Sequence, residues 1–241
     1  MIGTLVSITI RGLLNRRRTL LLALVGILVI VVAALSRLAD PTDEEALRFA
    51  GRLLADFGIG VVLPLVAVVI GTAAVGSELE DGTLVYLLAK PIPRWLLALV
   101  KLLAAWITVV LLVAPALAVG SLVAGGDAQL ALAGVAATTI GALEYVAIFL
   151  ALSLVTGRAL VIGLAYVVVW EGVIAGLFAG TRVLSVRQHA LAIGDAVRGG
   201  DVVPSTLDPL PALGVALLVA ALATALAVRN LERVELRGET G

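Results

Sequence analysis

Long apolar runs separated by short polar stretches dominate the chain. Each run approaches or exceeds the roughly 20 residues that an α-helix needs to cross a bilayer. The runs are continuous rather than alternating, which favours helices over barrel strands. They predict six membrane spans, at residues 19–36, 57–76, 95–123, 130–155, 159–180 and 209–228.

The segments outside the spans predict shorter helices. Polar residues recur every three or four positions in residues 1–18, which predicts a helix lying in the membrane interface; a simple extension of the first span is the alternative. Acidic residues after Thr42 predict a helix start. In residues 181–208, Val186, Ala190, Ile193 and Val197 would line one face of an amphipathic helix that ends at Gly199 and Gly200. One membrane domain over residues 1–241 is the simplest organisation.

Composition agrees with an all-α membrane protein. Hydrophobic residues make up 61% of the chain and charged residues 14%, with a mean hydropathy of +1.16. A soluble domain cannot bury that much apolar surface. The formal net charge of zero gives no electrostatic argument for nucleic acid binding. With no cysteine and a single histidine, His189, thiolate and multi-histidine metal sites are excluded, and no metal site is predicted. His189 itself is expected to be an exposed loop residue.

The distribution of Lys and Arg sets the expected orientation. The segments that share a side with both termini carry more of these residues than the other connections do. The positive-inside rule therefore places both termini in the cytoplasm. The residue usage, rich in Ala, Leu, Val, Gly and Arg, is typical of a GC-rich genome, so we expect a bacterial or archaeal plasma membrane.

The most informative charged stretch is residues 77–94, between the second and third spans. Acidic residues come first, then a glycine and a threonine that can begin a helix with leucines on one face. Prolines end that helix, and a basic residue restarts the chain at the membrane. The residues of this segment are Glu78, Glu80, Asp81, Gly82, Thr83, Leu84, Leu87, Leu88, Pro91 and Arg94.

This pattern resembles the first intracellular loop of ABC type-2 permeases, the membrane subunits of a class of ATP-binding-cassette exporters. The six-span layout with an interfacial helix resembles that family as well. Within the family, the acid-Gly-Thr-Leu spacing is most similar to the branch with the copper-processing permease of nitrous-oxide-reductase maturation. The resemblance implies that residues 77–94 contain a coupling helix, which docks on a nucleotide-binding subunit.

The resemblance also implies partners. The chain has no Gly-x-x-x-x-Gly-Lys-Ser/Thr motif, so we expect no cofactor on this chain, no enzymatic activity of its own, and ATP with Mg²⁺ on a separate ATPase. Six spans form half of such an exporter, so a second permease copy is expected, in a homodimer. The cargo is open: lipid, peptide, drug, or mechanical work on an external accessory protein all fit the pattern.

Two acidic residues, Glu144 and Glu171, lie near the middle of the fourth and fifth predicted spans. A carboxylate at that depth is unfavourable by roughly 2.5–3.5 kcal/mol and faces protein or water. Neither has an evident cationic partner in the sequence, so we expect them to be protonated, hydrated in a cavity, or bonded to hydroxyls such as those of Thr138, Thr139, Ser153 or Tyr145. Two interpretations stay open: a cavity on the transport pathway, or neutral carboxyls that tie helices together.

Small residues recur every fourth position on the fifth span, at Gly172, Gly176 and Gly180. Such ladders let helices approach closely. They are candidates for the permease–permease interface, with packing inside one bundle as the alternative.

Three alternative functions make different demands on the sequence. An ion-coupled secondary transporter would use Glu144 and Glu171, but it predicts an internal repeat that the sequence does not show. An intramembrane hydrolase would need a catalytic constellation that a lone loop histidine does not supply. A permease subunit that transmits force without passing cargo also fits.

Overall fold

The computed structural model describes residues 9, 10, 13, 16–39, 41–80, 93–177, 179–200 and 202–238, and most of these are helical, with no β-strand among them. We number the α-helices along the chain and name two π-helical segments separately. They are α1 (Arg16–Ser36), α2 (Asp43–Arg52), π1 (Leu53–Val62), α3 (Leu63–Glu80), α4 (Arg94–Val123), α5 (Ala128–Val155), α6 (Ala159–Ala165), π2 (Tyr166–Ile174), α7 (Ala175–Leu177), α8 (Val186–Arg198) and α9 (Pro209–Gly238), with short 3₁₀ turns at Arg37–Ala39 and Ala179–Leu184.

Five of the helical stretches are long and apolar enough to cross a membrane. They are Asp43–Gly76, Arg94–Val123, Ala128–Val155, Ala159–Leu177 and Pro209–Glu232. A shorter apolar helix, Leu24–Ala39, corresponds to the first predicted span. The prediction of an all-α membrane protein is confirmed. The interfacial helix predicted for residues 1–18 lies mostly outside the described residues.

Local sequence signals explain where the shorter helices begin and end. Thr42 accepts a hydrogen bond from the Glu45 amide while the Glu45 carboxylate accepts one from the Thr42 amide, so α2 starts on a capping box, as predicted. The predicted amphipathic helix is α8, with Ser185 as its N-cap. It stops at Gly199, whose φ of 64° lies in the left-handed region that glycine tolerates best.

Helix α5 forms the centre of the bundle, where it contacts α3, α4, α8 and α9. Its buried aromatic residues stack on one another, with the Tyr145 and Phe149 ring centroids 5.9 Å apart. The indole nitrogen of Trp106 in α4 donates to the Thr139 carbonyl of α5 at 2.9 Å. Most polar contacts of the candidate site involve α5 or the helix that lies on it, α8.

Small residues bring α8 close to α5. A Cβ placed on Gly141 would lie 3.1 Å from the Ala190 Cβ, and a Cβ on Gly194 would lie 3.4 Å from the Ala137 Cβ. A methyl group at Gly141 would be crowded, whereas one at Gly194 would make ordinary van der Waals contact. Helix α8 is therefore packed directly on the central span.

The second and fifth spans are not α-helical throughout. The Leu63 amide donates to the Gly58 carbonyl, five residues earlier, at the end of π1. The Ala175 amide donates to the Trp170 carbonyl with the same spacing at the end of π2. The apolar pattern of the sequence does not predict either segment. Helices with this spacing are rare and are often found at functional sites.

Candidate functional site

The segment predicted to couple to an ATPase is only partly described. Glu78 and Glu80 lie in the last turn of α3, and Arg94 is the first residue of α4. Asp81, Gly82, Thr83, Leu84, Leu87, Leu88 and Pro91 lie outside the described residues. The ends of the two flanking helices are thus described, and the coupling helix between them stays a prediction.

The described polar chemistry is concentrated where α8 meets the spans. Glu144 of α5 and His189 of α8 are buried, with 1% and 0% of their surfaces exposed. The Nδ1 atom of His189 lies 3.0 Å and 3.1 Å from the two carboxylate oxygens of Glu144. The expectation of an exposed His189 was wrong, and Glu144 has an imidazole partner that the sequence did not indicate. Helix α8 folds back onto the bundle and carries the imidazole to the carboxylate.

The second nitrogen of His189 defines how the pair holds its proton. The Nε2 atom lies 2.8 Å from the Val183 carbonyl. Since a carbonyl only accepts, Nε2 carries a hydrogen and donates it. The contact between Nδ1 and Glu144 then needs one further proton, held on either the imidazole or the carboxyl group. The pair is neutral overall as long as it keeps that proton.

The surroundings of His189 shift its pKa upward. Burial disfavours the charged imidazolium and lowers the pKa, whereas the hydrogen bond to Glu144 and the charge of that carboxylate raise it. The hydrogen bond to the Val183 carbonyl also raises it, and the net direction is upward. The proton between His189 and Glu144 is therefore held more tightly than on a free imidazole.

Glu171, the other mid-span carboxylate, holds the start of α8. It lies in π2 and is 4% exposed. Its Oε2 accepts from the Ser185 hydroxyl at 2.6 Å, and its Oε1 accepts from the Val186 amide at 2.9 Å and from the Tyr166 hydroxyl at 3.2 Å. The Ser185 hydroxyl also accepts from the Gln188 amide as the N-cap. One carboxylate thus accepts hydrogen bonds both from the fifth span and from the start of α8.

The prediction that hydroxyls bond the carboxylates named the wrong partners. Thr139 and Ser153 donate to carbonyls of their own helix, at Val135 and Leu150. The hydroxyls of Thr138 and Tyr145 are buried with no hydrogen-bond partner among the described residues. The partners of Glu171 come from the π2 segment and from the start of α8, which sequence spacing along α5 could not indicate.

Two tyrosines beside these carboxylates offer a matched comparison. Tyr166→Phe should lower the free energy of unfolding by about 1 kcal/mol, because it deletes a hydrogen bond to Glu171. Tyr145→Phe should leave that free energy unchanged or raise it, because it deletes a buried hydroxyl that has no partner among the described residues. Unfolding of the purified variants in detergent measures both. Equal losses would contradict the assignment.

A small cavity of about 210 Å³ lies between α8 and the start of α9. His189 contributes to its wall, together with Val183, Thr206, Leu207, Asp208, Pro211, Ala212 and Val215. Neither Glu144 nor Glu171 lines it. In the described structure the two carboxylates tie helices together.

The glycine ladder of the fifth span does not pack inside this chain. A Cβ on Gly176 or Gly180 would meet no atom of the described residues within 4 Å, and one on Gly172 would approach only the Val167 carbonyl, at 3.7 Å. The ladder is also interrupted, because Gly180 lies in the 3₁₀ turn Ala179–Leu184, beyond the apolar helix that ends at Leu177. Gly172 and Gly176 stay candidates for contact with another chain.

The helices and their hydropathy define a multi-pass helical membrane protein. The family model described as "ABC-2 family transporter protein" matches residues 14–192. The chain belongs to this family, and is a permease subunit of an ABC transporter. No curated protein matches the chain. The assignment to the copper-processing branch stays a prediction.

Proposed function

We propose that the chain couples ATP hydrolysis on separate nucleotide-binding subunits to export, or to mechanical work, across the membrane. The observation that carries this proposal is the family match over residues 14–192, because it includes the whole charged segment and the helices on both sides of it. ATP and Mg²⁺ would bind the partner ATPase, and this chain would supply the membrane path and the docking segment.

The proposed docking segment joins two long, stiff elements. Helix α3 runs without interruption to Glu80, and α4 runs from Arg94 for 30 residues. Helix α4 contacts α1, α3 and the central helix α5. A displacement of the connection between α3 and α4 would therefore be transmitted through α4 to α1 and α5. Under the expected orientation this connection faces the cytoplasm, where an ATPase would be.

Replacing Leu87 and Leu88 together with aspartate tests the proposal. The predicted amphipathic helix would present these leucines to the ATPase, and a hot-spot residue at the centre of an interface is worth about 2 kcal/mol or more. We expect ATPase recovered with an affinity-tagged permease to fall at least about tenfold. The permease itself should still insert and elute as a folded protein.

Thr206→Asp is the matched control, because it adds a charge at an exposed position in the connection before α9. This variant should retain the ATPase fully. Full retention by the leucine double variant would count against the docking segment. Absence of any nucleotide-hydrolysing partner in the native complex would count against the whole proposal.

We also propose a second permease copy across the fifth span. The apolar helix Ala159–Leu177 has the smallest buried share of the candidate spans, 22%, together with the last one. Gly172 and Gly176 lie on this helix without a close neighbour in the described chain, apart from one carbonyl. A small-residue surface of this kind allows close approach of a second helix.

A further inference from the structure

The first turn of α8 contacts the π-helical segments of two different spans. The Arg187 guanidinium donates from Nη2 to the Asp56 carboxylate of π1 at 2.6 Å. Its neighbours Ser185 and Val186 donate to Glu171 of π2 at 2.6 Å and 2.9 Å. Three consecutive residues therefore hold one carboxylate from each π-helical segment.

The Arg187 side chain lies directly against the π1 backbone. Its Nη2 is 3.5 Å from the Ala55 carbonyl. A Cβ on Gly60 would lie 3.1 Å from its Nε, so the glycine leaves the space that the guanidinium occupies. The contact thus includes the helix turn itself as well as the Asp56 side chain.

Helix α8 is held independently of these two contacts. It packs on α5 at Gly141 and Gly194, and its His189 pairs with Glu144. Arg198 near its other end is 2.8 Å from Asp127, in the turn before α5. Helices α5 and α8 therefore form one support, against which π1 and π2 are fixed.

The helix type of each segment determines where its carboxylate points. A π-helix and an α-helix rotate by different angles per residue, so a change of type turns the side chains of the segment relative to α8. Asp56 or Glu171 would then leave its partner. Conversely, these contacts stabilise the π-helical form.

We propose that Ser185, the Val186 amide and Arg187 are positioning groups that hold the π-helical form of the second and fifth spans. We further propose, resting on the proposed function, that Asp56 and Glu171 leave these groups when ATP drives the spans to change conformation. The first statement concerns the chain alone, and the second requires the ATPase.

Hydrogen–deuterium exchange on the full chain in lipid nanodiscs tests the first statement. Arg187→Ala should speed exchange of the amides in residues 53–62 by about tenfold and leave residues 166–174 unchanged. Ser185→Ala should speed exchange in residues 166–174 and leave residues 53–62 unchanged. Ser185→Thr, which keeps a hydroxyl, should restore the slow exchange of residues 166–174.

Two further variants separate positioning from general stability. Arg48→Ala removes an arginine just before π1 whose ion pair with Glu44 lies within α2, and it should not alter exchange in residues 53–62. The swap of Asp56→Arg with Arg187→Asp should restore slow exchange there. Unchanged exchange in Arg187→Ala, or a rise spread over the whole chain, would overturn the proposal.

Cross-linking in the complex with the ATPase tests the second statement. This chain has no native cysteine that could react in place of the introduced ones. Asp56→Cys with Arg187→Cys, joined by a short bis-thiosulfonate reagent, should abolish ATP-driven transport or turnover, reversibly on reduction. Ala137→Cys with Gly194→Cys is the matched lock within the support; its Cβ separation of 3.4 Å is near the range of native disulfides. That lock should leave activity intact.

The outcomes distinguish this proposal from the proposed function. Full activity with the first cross-link would overturn the release of the carboxylates. Loss of activity with the second lock would overturn the single support of α5 and α8. If no ATPase partner exists, the proposed function fails, while the exchange measurements still decide whether α8 holds π1 and π2.

Discussion

Glu144→Ala should lower the free energy of unfolding by about 3–5 kcal/mol, the combined effect of leaving a buried polar group without its partner and of opening a cavity. The alanine would leave the Nδ1 atom of His189 buried without its hydrogen-bond partner. It would also open space beside the most closely packed part of α8. Thermal or denaturant unfolding in detergent, followed by the fluorescence of the three tryptophans, measures the loss.

Glu144→Gln is the matched variant that keeps the shape of the side chain. Its amide can donate to Nδ1 of a neutral imidazole, while Nε2 still donates to the Val183 carbonyl. We therefore expect a loss of only about 1 kcal/mol. A loss as large as that of the alanine variant would contradict the pairing described here.

The stability of the wild type and that of Glu144→Gln should depend differently on pH. Although burial lowers the pKa of His189, its hydrogen bond to Glu144 and the charge of that carboxylate raise it above the ordinary value. A raised folded pKa means that this stabilisation is complete below the unfolded value of about 6.5 and is lost as pH rises through the folded pKa. The melting temperature of the wild type should therefore fall as the pH rises through this range. Glu144→Gln should not show this fall.

Glu171→Ala should lower the free energy of unfolding by about 2–4 kcal/mol, since it removes the acceptor from three donors at once. The Ser185 hydroxyl and the Val186 amide would both lose their partner at the start of α8. Val186 is buried and 1% exposed, so water cannot replace the carboxylate without opening the structure. Denaturant unfolding in detergent measures the total loss.

Glu171→Gln separates hydrogen bonding from bulk at this position. Its single carbonyl oxygen can still accept from the Val186 amide, while its amide group faces the Ser185 hydroxyl, which already accepts from Gln188. We expect about half of the loss found for alanine. No difference between the glutamine and alanine variants would show that the space the side chain fills, rather than its charge-assisted hydrogen bonds, stabilises α8.

The sequence predicted the elements whose signals are local. Apolar runs of membrane length identified the spans, and the acidic residues after Thr42 identified the start of α2. The spacing of Val186, Ala190, Ile193 and Val197, followed by two glycines, identified α8 and its end. Each signal depends on residues close together in the chain, so these elements could be predicted without knowing how the spans pack or which partners bind.

The candidate site could be predicted only in part, because its contacts are long-range. Glu144 and Glu171 were recognised from their depth in the spans, but their partners depend on where α8 folds. His189 is 45 residues from Glu144. It lies three residues after Val186 and four before Ile193, on the predicted apolar face of α8, but that spacing does not indicate which span the face meets. The π-helical segments were missed because their apolar periodicity differs too little from that of an α-helix over two turns.

The distance along the chain between Glu144 and His189 has a consequence for biogenesis. When the fourth span leaves the ribosome, its acidic side chain has no imidazole to meet, since the histidine follows 45 residues later. The nascent helix must enter the lipid with a protonated or hydrated carboxyl group, a penalty that other apolar residues of the segment have to offset. Only after the fifth span has been inserted can α8 fold back and complete the pair, which makes its closure a late event in the maturation of the protein.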